Sequence, residues 1–143
     1  MAHLIYSVLP NPRRAIVFIN PQLTVAECVE LMTAKDIGAL VVRDNAKLSG
    51  MVTERDIVRA CLRQGLDPQK TTAGDIAYAN VSILNVNEPV EKAMATITRT
   101  KRRHVLVSEE DELVAILSIG DLLFHLLEDK SRVIEHLENY IHS

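Results

Sequence analysis

The sequence predicts an α/β protein built from two copies of one β-α-β-β-α unit, and three observations carry that reading. The octet Gly50-Met51-Val52-Thr53-Glu54-Arg55-Asp56-Ile57 returns as Ala115-Ile116-Leu117-Ser118-Ile119-Gly120-Asp121-Leu122, at an offset of 65 residues from Asp56 to Asp121. In each, a strand-like apolar triplet runs into Ser/Thr-x-x-Asp and then into a helical pattern, which marks a tandem repeat. The register extends without a gap: Val25 falls on Val90, Val29 on Met94, Met32 on Ile97, Leu40-Val41-Val42 on Val105-Leu106-Val107, and Leu48 on Leu113. Identities are few, but both copies change from helical to strand period at matching places.

The first copy opens with Ala15-Ile16-Val17-Phe18-Ile19, a short apolar run stopped by Asn20-Pro21, as suits a buried strand. Thr24 and Glu27 have the spacing of a capping box, and Val25, Cys28, Val29 and Met32 keep one helical face apolar. A strand at Ala39 to Val42, a turn at Asp44-Asn45 and a strand at Leu48 to Val52 follow. Thr53 opens the last helix, which Gly65 is placed to end.

The second copy repeats the order. Val81 to Asn85 reads as a strand, and Pro89 sits near a helix start, where its missing N–H is no loss. Strands at Val105 to Val107 and Leu113 to Leu117 lead into a helix at Ile119 to Leu127. Between the copies, Leu66-Asp67-Pro68 is a break and Thr72 to Ala77 one helical turn. Beyond the second copy, Val133, Ile134, Leu137, Tyr140 and Ile141 form one apolar stripe that the body or a second subunit must cover. The chain therefore divides into a first repeat over 1–66, a second over 67–128 and a closing amphipathic helix over 129–143.

Composition narrows the function classes. A repeat of about 60 residues would be marginal alone, so a shared core is expected. Apolar residues make up 48% of the 143 residues, with 3% aromatics and no Trp, which leaves no stacking platform for single-stranded nucleic acid. The net charge of −3 argues against general nucleic-acid binding. No apolar run approaches the ~18 residues of a membrane span, and the N-terminus lacks the build of a signal peptide, so a cytoplasmic protein is expected. Cys28 and Cys61, far from CxxC spacing, read as reduced, buried thiols. His3, His104, His125, His136 and His142 are scattered without metal-site spacing, which points away from a zinc site.

Thr53-x-x-Asp56 and Ser118-x-x-Asp121 admit two readings. As helix starts, they place a hydroxyl at the N-cap and a carboxylate three residues on, near the positive helix end. As ligand groups, the same pair faces the sheet edge, where Asp can take both hydroxyls of a ribose and the helix end attracts phosphate. One motif can serve both ends.

Gly-x-x-Thr-Glu-Arg-Asp-Ile after an Ala-Leu-Val-Val strand, repeated as His-Val-Leu-Val…Ala-Ile-Leu-Ser-Ile-Gly-Asp-Leu, resembles a pair of cystathionine β-synthase (CBS) domains over roughly residues 14–128. The resemblance implies two repeats packed about a pseudo-two-fold, with two clefts for adenine nucleotides or related adenosyl ligands, and further pairing into a homodimer. It makes Asp56 and Asp121 the ribose-binding acids, with Thr53 and Ser118 beside ribose and phosphate. Adenine would rest against Val17 and Phe18 in one cleft and Ser82 and Ile83 in the other. Ile37-Gly38 and Arg102-Arg103 would border the clefts, with Arg103 at a phosphate-binding position and Gly38 as its counterpart without a side chain. Both copies depart from the family's frequent Pro inside the second strand, having Leu40-Val41 and Val105-Leu106 there.

Lys101-Arg102-Arg103-His104 places positive charge at one cleft only, where Arg forks suit phosphate, and its plain alternative is a solvated basic turn. Arg55, beside Asp56, can reach phosphate or pair with Glu54 or Asp56. No nucleophile triad, Gly-rich phosphate loop or metal-ligand cluster stands out in the sequence. The expected function is therefore a non-catalytic sensor of an adenosine-containing molecule, AMP, ADP or ATP first, NAD or S-adenosylmethionine next, acting on a separate effector protein. The rivals are a structural dimerisation module with empty clefts and, less favoured, an enzyme using Asp56, Asp121 and His104 as acid and base.

Overall fold

The computed structural model describes residues 3–10 and 12–142, without the side chains of residues 131–133, 136 and 140–142. The side chains of Val133, Tyr140 and Ile141 in the closing stripe are thus outside what is described. In chain order the elements begin with a short helix α1 (Ile5–Val8), strand β1 (Phe18–Ile19), helix α2 (Val25–Lys35), and strands β2 (Ala39–Asp44) and β3 (Lys47–Thr53). Helix α3 (Glu54–Val58) runs on into a π-helical turn over Arg59–Arg63, and α4 (Ala73–Ile76) is a single turn. Strand β4 (Ile83–Asn85), helix α5 (Val90–Thr100), strands β5 (His104–Glu109) and β6 (Glu112–Ser118), and helix α6 (Ile119–His142) complete the chain.

The expected β-α-β-β-α repeats are present. Each has a mixed three-stranded sheet, ordered β1-β2-β3 or β4-β5-β6, with the first pair parallel and the second antiparallel. The likeness extends to irregularities. Both hairpins turn through two consecutive residues at positive φ, Asn45-Ala46 and Glu110-Asp111, as a tight two-residue turn requires. Both then shift register at matching points, Val42/Arg43 and Val107/Ser108. The first turn therefore sits one residue later than Asp44-Asn45.

Two compact units result, one of residues 16–81 and one of residues 82–143 with the N-terminal segment up to Ala15. They are drawn differently from the repeats at 1–66 and 67–128, because short linker segments choose their cores. In the first unit Ala73 of α4 is fully buried with Cys28, Met32, Leu40 and Val52. Backbone bonds fix α4 there, with Ala73 N–H donating to Leu23 O at 2.7 Å and Gly74 N–H to Pro21 O at 2.9 Å. In the second unit α1, which the sequence pattern did not announce, buries Ile5 completely among Val86, Val90, Ala93 and Leu117. A four-residue helix with one buried side chain carries no period to detect.

Several local expectations are corrected. β1 is only two residues long, although Val17 still accepts a hydrogen bond from Val41 N–H at 3.0 Å. The Thr24–Glu27 capping box forms as expected, but Val29 on α2 is 42% exposed rather than part of the buried face. Cys28 is buried and Cys61 half-exposed, so one thiol of the expected two is in the core. The second repeat's last helix and the closing helix are one continuous 24-residue helix, α6. Gly65 (φ +73) ends the first repeat's helical segment, whereas Lys130 occupies the matching position and lets the helix run on.

Candidate functional site

In each repeat the antiparallel third strand passes directly into the next helix, so the residue ending the strand is also the helix N-cap. Thr53 holds this place in the first unit. Its N–H and O–H both donate to Asp56 Oδ2, at 2.9 and 2.8 Å, and Asp56 N–H donates back to Thr53 Oγ1 at 3.4 Å. The second unit repeats the exchange, with Ser118 N–H donating to Asp121 Oδ2 at 2.9 Å and Asp121 N–H to Ser118 Oγ at 3.2 Å. Both motifs are helix caps, and in both it is Oδ2 that does the capping.

Strand direction assembles the other expected residues. Because β1 runs parallel to β2 and β3 runs back, the starts of β1 and β2 lie at the same sheet end as the finish of β3. Val17, Phe18, Gly38, Thr53 and Asp56 therefore gather at that end. Gly38 O accepts from Glu54 N–H at 3.1 Å, tying the approach to β2 to the start of α3. The second unit does the same with Ser82, Ile83, Arg103, Ser118 and Asp121. There Leu106 N–H donates to Ser82 O at 2.9 Å and Ile119 N–H to Arg103 O at 2.8 Å. These bonds are the 65-residue images of Val41 to Val17 and Glu54 to Gly38.

The side chains at the two sheet ends differ. Arg103 is exposed, and Arg102 and Arg55 are half-buried. Gly38 leaves a small space, since a Cβ there would meet the Glu54 carboxyl group at 3.3 Å. Ile37 lines an open cavity of about 490 Å³ between α2 and α3 with Val29, Met32 and Val58, whose lining includes neither Thr53 nor Asp56.

Two arginines escaped the sequence reading. Arg14, exposed to solvent, donates to Asp121 Oδ1 at 2.5 Å, so the oxygen not used for capping is paired with a cation. Arg43 lays its guanidinium over the Phe18 ring at 3.8 Å from the centroid, a close cation–π contact. Neither pairing has a spacing signal, because one spans 107 residues and the other depends on the β1–β2 register. The histidines hold a third surprise. His3 and His125, read as scattered, stack edge to face at 4.7 Å beside Asp129.

Burial, helped by the nearby Glu27 charge, pushes the Cys28 thiol up from 9.0 to about 11.

Comparison with known proteins matches a family model described as CBS domain to residues 5–63 and again to residues 73–128. Hypoxic response protein 1 of Mycobacterium tuberculosis (strain CDC 1551 / Oshkosh) is 35% identical over 106 residues, 73% of this chain and 74% of that one. A crystal structure of a CBS domain superposes with a TM-score of 0.80 at 30% identity, covering 89% of this chain and 99% of that one. A Burkholderia ambifaria MC40-6 protein with CBS domains, named as a candidate for signal transduction, superposes with a TM-score of 0.79 at 31% identity, over 87% of this chain and 92% of that one.

Proposed function

Since the chain belongs to the CBS domain family and carries two such domains in tandem, we propose that it is a non-catalytic regulatory module that binds an adenosine-containing molecule at its sheet ends. CBS domains generally bind adenosyl ligands. The observation that carries the reading to these residues is the repeated hydroxyl–carboxylate pair, held by the same backbone bonds in both units.

In this reading Asp56 and Asp121 accept the ribose hydroxyls while their Oδ2 atoms keep the cap. Adenine lies along Val17 and Phe18, or Ser82 and Ile83, and backbone groups read its edge. Phosphates meet Arg55 in the first unit and Arg102 and Arg103 in the second, where guanidinium forks suit phosphate oxygens. Arg14 joins them by exchanging Asp121 for phosphate.

A thermal-shift panel of AMP, ADP, ATP, NAD and S-adenosylmethionine tests the reading. A ligand at about 100 times its dissociation constant adds roughly 2.7 kcal/mol, a rise of about 8 °C in Tm for a chain of this size. No shift with any of the five at millimolar concentration would leave the family fold without this use.

A second reading, a dimerisation module, is favoured by apolar side chains at matching positions of the two terminal helices. Leu62 is 82% exposed and its repeat image Leu127 is 65% exposed, with Val58 and Leu123 one turn earlier also exposed. Such faces favour a partner surface, and a second copy of the chain is the occupant we propose. The two readings combine naturally, because ligand occupancy can then alter an assembly that a separate effector protein reads. None of the helices among the described residues is long and apolar enough to cross a membrane.

A further inference from the structure

We propose that His3, His125 and Asp129 form a site for one divalent transition-metal ion of the zinc class, which clips the N-terminal segment onto helix α6. His125 and Asp129 are four residues apart on α6, so their side chains lie one above the other on one helix face. His3 comes from the opposite end of the sequence and is delivered by backbone geometry. Its carbonyl accepts Val90 N–H at 2.8 Å, Leu4 bridges to Pro89, and Ile5 N–H donates to Glu88 O at 2.9 Å while the Ile5 side chain is fully buried. The third ligand is thus brought to α6 by the backbone contacts of its own segment.

The donor atoms converge with suitable spacing. His3 Nε2 and His125 Nε2 each lie 3.4 Å from the same oxygen, Asp129 Oδ2, and all three ligand atoms fall within 4.8 Å of one another. Ligands bound tetrahedrally at 2.0–2.1 Å from zinc are about 3.3–3.4 Å apart, so two of the three edges already have the required length. The two imidazole nitrogens lie within 4.8 Å of each other, the one edge left to shorten on binding. Two imidazoles and one carboxylate suit zinc or cobalt, whereas magnesium and calcium favour all-oxygen sets. Side-chain exposures of 14% for His125, 34% for Asp129 and 41% for His3 shield one side and leave a fourth position open to water.

The inference stands independently of nucleotide binding. The test uses the full chain, free of any added tag and stripped with chelator, titrated with Zn²⁺ by calorimetry and with Co²⁺ by absorption spectroscopy. One equivalent is expected per chain, with a tetrahedral-type cobalt spectrum and a Tm increase that chelator reverses. His3→Ala and Asp129→Asn should each weaken Zn²⁺ binding by at least about 10-fold, while His104→Ala, outside the cluster, leaves it unchanged. Far-UV circular dichroism and the metal-free Tm establish that each variant is folded, and His3→Gln serves where His3→Ala is not. The proposal is overturned by absence of saturable Zn²⁺ and Co²⁺ binding, by binding that survives both substitutions in folded protein, or by a cluster that shows only proton-linked His–Asp pairing.

Discussion

At the scale of single residues, Asp56 and Asp121 face two demands that mutation can separate. The cap requires Oδ2, and replacing a capping group by Ala costs about 1 kcal/mol. Ribose binding requires charge-assisted hydrogen bonds worth about 1.5–3 kcal/mol, so Asp56→Ala or Asp121→Ala should also weaken nucleotide binding by roughly 10- to 150-fold. Calorimetric titration of each variant, alongside its melting curve, reads the two effects apart, and unchanged affinity would reduce both motifs to caps. We expect the greater binding loss at Asp121, where Arg103 adds a phosphate contact. Arg14 sharpens the test. Its exposed pair with Asp121 contributes at most about 1 kcal/mol to folding, yet it competes with ribose and can hold phosphate. Arg14→Ala should therefore tighten adenosine and weaken ATP in parallel titrations. Cys28 gives a third prediction. With its pKa at about 11, roughly one thiol in a thousand is ionised at pH 8, so iodoacetamide should label half-exposed Cys61 well before Cys28, as peptide mass spectrometry would show. Because the folded value lies above the ordinary 9.0, the unfolded chain loses this proton first. The thiol's contribution to stability is intact below pH 9 and falls as pH rises from 9 toward 11.

At the scale of elements, close approach of backbone explains which small residues are replaceable. On β3, Met51 N–H donates to Tyr78 O and Tyr78 N–H to Met51 O, both at 3.0 Å, so this isolated antiparallel bridge holds the Tyr78 backbone against Gly50. A Cβ on Gly50 would stand 2.5 Å from Tyr78 O and 3.1 Å from Tyr78 C. Gly50→Ala must displace this bridge and should destabilise the protein by about 1–3 kcal/mol. Gly120, in the first turn of α6, is different, because a Cβ there meets only Ser118 Oγ at 3.5 Å. Gly120→Ala should be neutral or stabilising by up to about 1 kcal/mol, through the helix preference of Ala. Urea denaturation of the two variants checks the contrast, and equal losses would refute it.

For the whole molecule, the duplicated helical faces make a prediction about association. Leu62 and Leu127 project into solvent within one chain, so replacing both with Asp should leave the fold's stability within about 0.5 kcal/mol if no partner covers them. A homodimer built on this face would instead dissociate, and sedimentation velocity would show the shift to monomer at unchanged circular dichroism. Wild-type protein that sediments as a monomer would remove the dimerisation reading. The nucleotide reading would still stand on its own titrations.

The sequence by itself determined the duplicated β-α-β-β-α pattern and both hydroxyl–carboxylate caps, because these are local: strand period, helix period and a three-residue cap spacing are written within single segments. The family resemblance singled out Val17, Ser82, Gly38 and Arg103, and the 65-residue offset pairs Val17 with Ser82 and Gly38 with Arg103. Tertiary structure alone decided where the linker segments dock, that Arg14 meets Asp121 and Arg43 covers Phe18, and that His3 reaches His125 and Asp129. Each of those contacts joins residues distant in sequence or set by strand register, and each depends on one or two side chains. A hydrophobic period needs many residues to declare itself, but a long-range polar contact needs only a fold to bring its partners together.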